Sequence, residues 1–154
     1  MVHSAKPILI LGIGNILLQD EGVGVRAVER LRQRQLPPDV EIVDGGTGGA
    51  DLVDVIADRR KVIVIDAMEA AAAPGTVSRF SGDELLPDPD AAISLHQLGL
   101  VESLVMARQL GCPPREVIVF GIQPARIRPG LELSPPVAAA VAEVIDAVLA
   151  ECSR

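Results

Sequence analysis

Four short apolar runs punctuate this chain, and between them apolar residues recur every three or four positions. Residues 7–11 (PILIL), 40–43 (VEIV), 62–65 (VIVI) and 117–122 (VIVFGI) read as strands. The first, third and last hold no polar position, which marks strands buried on both faces, as the centre of a parallel sheet requires. Residues 76–80 (TVSRF) alternate more weakly and read as an edge strand. Helical patterns fill the gaps. In residues 21–34, Gly24, Ala27, Val28 and Leu31 fall at i, i+3, i+4 and i+7, one face of a helix. Residues 51–59 and 97–110 behave alike. Ser134 as N-cap, with Pro135 at the first helical position, opens a long Ala/Val-rich helix that runs to about residue 151. The order β-α-β-α-β-β-α-β-α predicts an α/β fold in a single domain spanning residues 1–154. That fold is a three-layer sandwich, a twisted, mostly parallel sheet of about five strands with helices on both faces. No internal repeat, linker or second domain interrupts the pattern.

Composition narrows the class. Of 154 residues, 49% are apolar, enough for one core that buries roughly 70% of the unfolded surface without disulfide support. The 14 basic and 21 acidic side chains leave a net charge of −7. Such a surface repels phosphate backbones and anionic headgroups, so nucleic acid and membrane are poor partners. Phe80 and Phe120 are the only aromatic residues, which excludes base-stacking platforms and aromatic sugar shelves. Cys112 and Cys152 form no Cys-x-x-Cys pair and suit a reducing compartment. The apolar run at residues 7–18 has the length of a signal-peptide core. Yet Gly12, Gly14 and Asn15 interrupt it, and Gln19-Asp20-Glu21 follows at once. No run reaches the ~18 residues a bilayer needs. A soluble, cytoplasmic protein is expected.

Open sheets of this kind bind ligands beyond the carboxyl ends of their strands, and the unusual chemistry of the chain gathers in those loops. Gly12 to Glu21 follow the first strand, Asp44-Gly45-Gly46-Thr47-Gly48-Gly49 the second, Asp66 the third and Gln123-Pro124 the last, while Ser94-Leu95-His96 precede a helix. A dinucleotide site fits poorly. Leu17 stands where the third glycine of the fingerprint belongs, and Asp20 and Glu21 put negative charge where a helix would meet pyrophosphate. No Gly-x-Ser-x-Gly elbow, His-Glu-x-x-His or Walker-type Gly-Lys-Ser/Thr is present. Cys112 precedes Pro113-Pro114 at the wrong end of the sheet, and Cys152 lies in a tail expected to fray. A thiol nucleophile is therefore not favoured.

What remains is a carboxylate cluster and one imidazole. His3 sits in the N-terminal tail, so imidazole chemistry falls to His96. Asp66 ends a buried strand, where an uncompensated charge is costly. Glu21, Asp44 and Asp66 converging on one edge would raise one another's pKa, and a cation would relieve the repulsion. Two carboxylates and one histidine suit a borderline divalent metal with positions left open. Simpler roles compete at each position. Asp20 fits the N-cap of the first helix, Asp44 a brace for the glycine-rich turn, and His96 a capping or packing residue. Some of Gly45, Gly46, Gly48 and Gly49 need do no more than supply positive φ. The residues alone support a metal-assisted or acid–base hydrolase.

The ordered set of motifs resembles a known family. Gly12-Ile-Gly-Asn-Ile-Leu-Leu-Gln-Asp-Glu-Gly-Val-Gly-Val, Asp44-Gly-Gly-Thr, Ile65-Asp66-Ala67, Ser94-Leu-His-Gln-Leu-Gly, Gly121-Ile-Gln-Pro and Leu133-Ser-Pro are similar to the [NiFe]-hydrogenase maturation endopeptidases. The similarity runs in order and at family-like spacing across nearly the whole chain. It implies a twisted α/β sheet between helices. It also implies removal of a short C-terminal extension from the precursor of the hydrogenase large subunit, the partner, once its metals are installed. By the same resemblance Glu21, Asp66 and His96 are the metal contacts, and Asp44, Asp66 and Glu21 are the candidate catalytic carboxylates. Asp44, Gly45, Gly46 and Thr47 are the substrate-binding turn. The nickel is expected to be carried by the substrate and sensed by the site, with no organic cofactor. Whether a carboxylate or nickel activates the water stays open at this point. So does a non-catalytic nickel checkpoint module that binds the same partner.

Overall fold

A computed structural model of the chain describes residues 5–85 and 95–154, apart from the side chains of residues 50, 85 and 95–98. Strand β1 (Ile8–Ile13) leads through α1 (Val23–Leu31) to β2 (Val40–Gly46), and α2 (Val53–Ile56) returns the chain to β3 (Lys61–Ala67). There follow β4 (Val77–Ser81), a short α3 (Gly82–Leu85), α4 (Leu95–Gln109), β5 (Glu116–Ile122) and α5 (Pro135–Cys152). The strands form one sheet in the order β2-β1-β3-β5-β4, parallel except for β4, which pairs antiparallel with β5 at the edge. The α/β sandwich read from the sequence is the observed architecture, and the weakly alternating strand is an edge strand, with β2 at the other edge.

Alternation in the buried strands builds two cores. Ile8 and Ile10 of β1, Ile63 and Ile65 of β3, and Ile118, Phe120 and Ile122 of β5 pack with α1 and α5. The residues between them, among them Leu9, Leu11, Val62, Val64 and Val119, pack with Leu52, Ile56, Leu100 and Leu104 on the opposite face. Every residue of β1 and β3 is buried. Polar side chains in β3 are accordingly confined to its two ends, Lys61 and Asp66. Lys61 is 2% exposed, and its Nζ meets the Glu151 carboxylate at 3.0 Å and the Glu116 carboxylate at 3.2 Å.

Element boundaries depart from the periodic pattern where local backbone chemistry intervenes. The helix expected over residues 21–34 opens as a 3-10 turn, Gln19–Gly22, and is α-helical only from Val23 to Leu31. The helix expected over residues 51–59 is a 3-10 turn, Ala50–Leu52, followed by the four residues of α2. It stops because Ala57 turns extended and Asp58 takes a left-handed conformation (φ +59°). Ser134 does occupy the N-cap of α5, with Pro135 first in the helix, but its hydroxyl makes no cap bond and donates to Asp20 instead. Cys152, expected in a frayed tail, is buried in the last turn of α5 against the core. Burial pushes its thiol up, away from the reactive thiolate.

Sequence order and spatial order part company at β1. Helix α1 carries the chain to β2 over one face, and α2 carries it back past β1 to β3 over the other. The crevice between the carboxyl ends of β1 and β3 is thus the topological switch point, where open α/β sheets take their ligands.

Candidate active site

Glu21 reaches this crevice because α1 packs on the sheet with no side chain between them. A Cβ on Gly12 would lie 2.6 Å from Val28 Cγ2, and one on Gly24 would overlap the carbonyls of Ile65 and Ile13. Helix backbone therefore rests on strand backbone. The loop between β1 and α1 folds back on itself. Asn15 Oδ1 accepts from the Leu17 N–H at 2.9 Å, and the Asn15 N–H donates to the Glu21 carbonyl at 3.2 Å. Gly14, at φ +149°, lies so close under that carbonyl that any side chain would collide with it. These contacts hold Glu21, half-buried, just ahead of α1.

Asp66 stands across the crevice, opposite Gly121 of β5, and is 2% exposed. Side chains along β3 alternate, so Asp66 continues the row of Val62 and Val64 toward the face covered by α2 and α4. Burial pushes its carboxyl well above the usual carboxylate range; the Ala67 N–H opposes that shift, and the negative charge of Glu21 adds to it. The two carboxylates feel each other across the switch point.

Asp44 lies at the same edge of the sheet but continues a row on the other face. It pairs in register with Gly12 of β1, which pairs in turn with Ile65 of β3. Two strand spacings, about 10 Å, thus separate the main chains of Asp44 and Ile65. Val40 and Ile42 of β2 pack toward α1, and Asp44 follows in that row, exposed, on the rim of a groove of about 370 Å³ walled by Asn15, Ile16, Leu17, Val25 and Thr47. Its Oδ1 accepts from the Gly46 N–H at 2.8 Å, the brace that aspartate commonly lends a turn. Gly46, at φ +52°, accepts in turn from the Gly14 N–H at 2.8 Å, joining the loops after β1 and β2. Of Gly45, Gly46, Gly48 and Gly49, only Gly46 has positive φ. Gly45 and Gly48 are small for a different reason, since a Cβ at either would press on Leu52 and neighbouring backbone.

His96, expected just ahead of a helix, is the second residue of α4; its side chain, like Ser94 altogether, lies outside the described residues. The backbone of α4 is placed by its contact with the glycine-rich loop. A Cβ on Gly99 would lie 2.9 Å from the Gly48 carbonyl, and Ser103 Oγ donates to the Gly49 carbonyl at 2.9 Å. Among the described residues no three His, Cys, Asp or Glu side chains gather closely enough to hold a metal. Glu21 and Asp66 are the described pair of the three residues expected to do so.

Two buried polar side chains have roles that pattern reading missed. Asp20 is not an N-cap: Gly22 holds that place in α1, with no side-chain cap bond. Its carboxylate is wholly buried and accepts from the Ala125 N–H at 2.9 Å, and from the Arg126 N–H, the Ser134 N–H and the Ser134 hydroxyl, each at 2.7 Å. Burial alone would raise its pKa, but these four bonds outweigh burial and hold it below the ordinary carboxylate value. Gln123, at the end of β5, staples the loop after β3. Its Oε1 accepts from the Ala70 N–H at 2.8 Å, and its Nε2 donates to the Glu69 carboxylate at 2.8 Å. The sequence signal for each is position alone, Gln123 just beyond a buried strand and Asp20 just ahead of a helix.

A second cavity, about 350 Å³, lies at the opposite end of the sheet beside Gly82, Arg108, Arg115 and Val117, and none of the candidate residues lines it. The chemistry is concentrated at the carboxyl edge.

A family model described as hydrogenase maturation protease matches residues 25–151. The hydrogenase 2 maturation protease of Escherichia coli (strain K12) is 42% identical over 145 residues, covering 93% of this chain and 88% of that protein. The chain belongs to the hydrogenase maturation protease family. Solved structures agree. The hydrogenase maturating endopeptidase HybD from E. coli superposes with a TM-score of 0.86 at 42% identity, over 94% of this chain and 90% of that one. The [NiFe] hydrogenase maturation protease HybD from Thermococcus kodakarensis gives 0.74 at 27% identity, over 92% and 95%. Family membership makes this protein a peptidase and favours that reading over a checkpoint module that cuts nothing. Among the described residues, no helix is long and apolar enough to cross a membrane.

Proposed function

We propose that this protease removes the C-terminal extension of a [NiFe]-hydrogenase large-subunit precursor, in the cytoplasm, after nickel has been installed. The observation that carries the reading is the pairing of Glu21 with buried Asp66 at the switch point. The charge of one disfavours ionisation of the other, so the pair is primed for a cation that arrives with the substrate. His96, at the start of the neighbouring helix, is the third contact. Such a set offers few ligands and no thiolate. It holds free metal weakly and gains affinity when the client supplies the remaining ligands and the ion together.

Cleavage belongs to the exposed carboxylate. Asp44 lies on the rim of the groove, about 10 Å from the strand that carries Asp66. A peptide crossing the edge of the sheet would therefore present its nickel-bearing part to Glu21 and Asp66 and its scissile bond to Asp44. There Asp44 takes a proton from water as the oxygen attacks the carbonyl carbon, and the proton passes to the departing amine as the C–N bond breaks. The main chain of Gly45, Gly46 and Thr47 aligns the extended substrate. Nickel carried by the client supplies the geometric check and polarises nearby groups.

The test uses metal-stripped protease with nickel-loaded and nickel-free precursor, following loss of the C-terminal peptide by mass. Cleavage of the loaded precursor alone is the expected result. Equal cleavage of both refutes nickel gating, and activity that depends on pre-loading the protease with zinc replaces it with an ordinary metalloprotease.

A further inference from the structure

We propose that Asp20 is a positioning residue for Glu21, holding the short turn that carries it against the loop after β5 and the start of α5. The proposal rests on the reading that Glu21 meets the substrate. Gln19–Gly22 is a four-residue 3-10 turn, and neither it nor α1 has a side-chain cap. A turn of that kind has poor hydrogen-bond geometry and little stability of its own. Its placement must come from outside.

The outside contacts converge on Asp20. Its carboxylate collects the main-chain N–H groups of Ala125, Arg126 and Ser134 and the Ser134 hydroxyl, partners 105 to 114 positions later in the chain. Its own N–H donates to the Arg126 carbonyl at 3.1 Å, and the Gln19 N–H donates to the Gly130 carbonyl at 3.0 Å. The turn is thus tied to one distant segment by side chain and main chain together. Asp20 itself is 0% exposed with both carboxylate oxygens engaged, so it cannot meet a substrate. It acts through the next residue. The Glu21 main chain is tied only to its own loop by these bonds, its carbonyl accepting from the Asn15 N–H and its N–H donating to the Leu18 carbonyl, each at 3.2 Å, whereas Asp20 ties the same turn to the distant segment.

The bond pattern dictates the informative substitution. Three donors aim at Asp20 Oδ2 and one at Oδ1. Asparagine must turn its amide toward one set or the other, so at least one buried N–H faces a donor and the clamp opens. A displacement near 1 Å at a reacting constellation costs roughly 100-fold in rate.

The experiment compares the parent with Asp20→Asn, Ser134→Ala and Lys61→Met, the last a destabilising change at the far end of β3. Single-turnover processing of nickel-loaded precursor is measured at a temperature where circular dichroism shows each variant folded. Asp20→Asn is expected to lose roughly 100-fold, Ser134→Ala less, and Lys61→Met nothing. In a Glu21→Asp background, where the carboxylate is already retracted, Asp20→Asn should add little, because the two changes strike one function. Losses that simply multiply, or a folded Asp20→Asn that cuts at the parental rate, overturn the proposal. If Asp20→Asn fails to fold, Ser134→Ala decides, and parental cutting by that folded variant overturns it. A parent that cuts no precursor at all fails at the functional reading itself, and the proposal falls with it.

Discussion

The Cα of Gly24 rests on the main-chain carbonyl of Ile65, leaving no room for a methyl group between α1 and β3. Ile65 immediately precedes Asp66, and Gly24 lies three residues after Glu21. This close approach therefore helps set how near the two site carboxylates come, beside the contacts that hold the turn ahead of α1. Gly24→Ala must lift the helix from the sheet. Overpacking of this kind costs about 3 kcal/mol, a fall in melting temperature of roughly 6–12 °C for a chain of this size. Processing should fall as well, because Glu21 moves with the helix. Thermal melts and a cleavage assay on the same sample check both, and an unchanged melt would show that the interface can yield.

The far end of the sheet carries a separate, purely structural ion cluster. Glu151 accepts from Arg79 Nε at 3.1 Å and from a terminal nitrogen of Arg79 at 2.9 Å, and pairs with buried Lys61. The bonds from Arg79 come first in holding its carboxyl down at about 2 against an ordinary 4.5, with the bond and charge of Lys61 adding to them. Because the folded carboxylate binds its proton more weakly than the unfolded one, it stabilises the fold above pH 4.5. That stabilisation drains away as pH falls from 4.5 toward about 2. Glu151→Gln should lower stability by about 3 kcal/mol at neutral pH, since it leaves Lys61 buried with a weaker set of partners. It should also flatten the acid limb of a urea-melt series. A variant that keeps the parental acid limb would remove Glu151 from the account.

Asp66 has the opposite linkage. Burial first, and the charge of Glu21 with it, raise its carboxyl. Its ionisation therefore works against the fold, and stability falls as pH rises from the ordinary carboxylate range through the raised value. Asp66→Asn should melt no lower than the parent at neutral pH while processing drops by at least ~100-fold. A much lower melting temperature would mean that the charge itself supports the fold.

The groove beside Asp44 invites a test of substrate contact. Leu17 on its wall is 61% exposed, and Leu131 is 60% exposed next to Gly130, whose N–H donates to the Leu17 carbonyl at 2.9 Å. Large apolar side chains left together in water mark a surface that another chain covers. Leu17→Asp should raise KM for the precursor roughly 10-fold with kcat and melting temperature held. An unchanged KM would place the client elsewhere.

The fold class was legible in the apolar runs for a simple reason. A strand with no polar position, such as residues 62–65, has to be covered on both faces, and the helical patterns between such strands supply the cover. The short inventory of reactive side chains was equally legible, because two histidines and a handful of carboxylates at strand ends leave little choice. Tertiary structure alone decided the strand order, since a strand's own pattern does not name its neighbours. It also decided the role of Asp20. Beside a helix start, a capping aspartate and a clamping one look the same in sequence, and only the return of residues 125–134 shows where the oxygens go. Asp44 and Asp66 divide in the same way. Both end strands at one edge, but side chains alternate with a period of two. Face is then set by the register of β2 and β3 against β1, a long-range property that turns one carboxylate toward the exposed groove and buries the other beside Glu21.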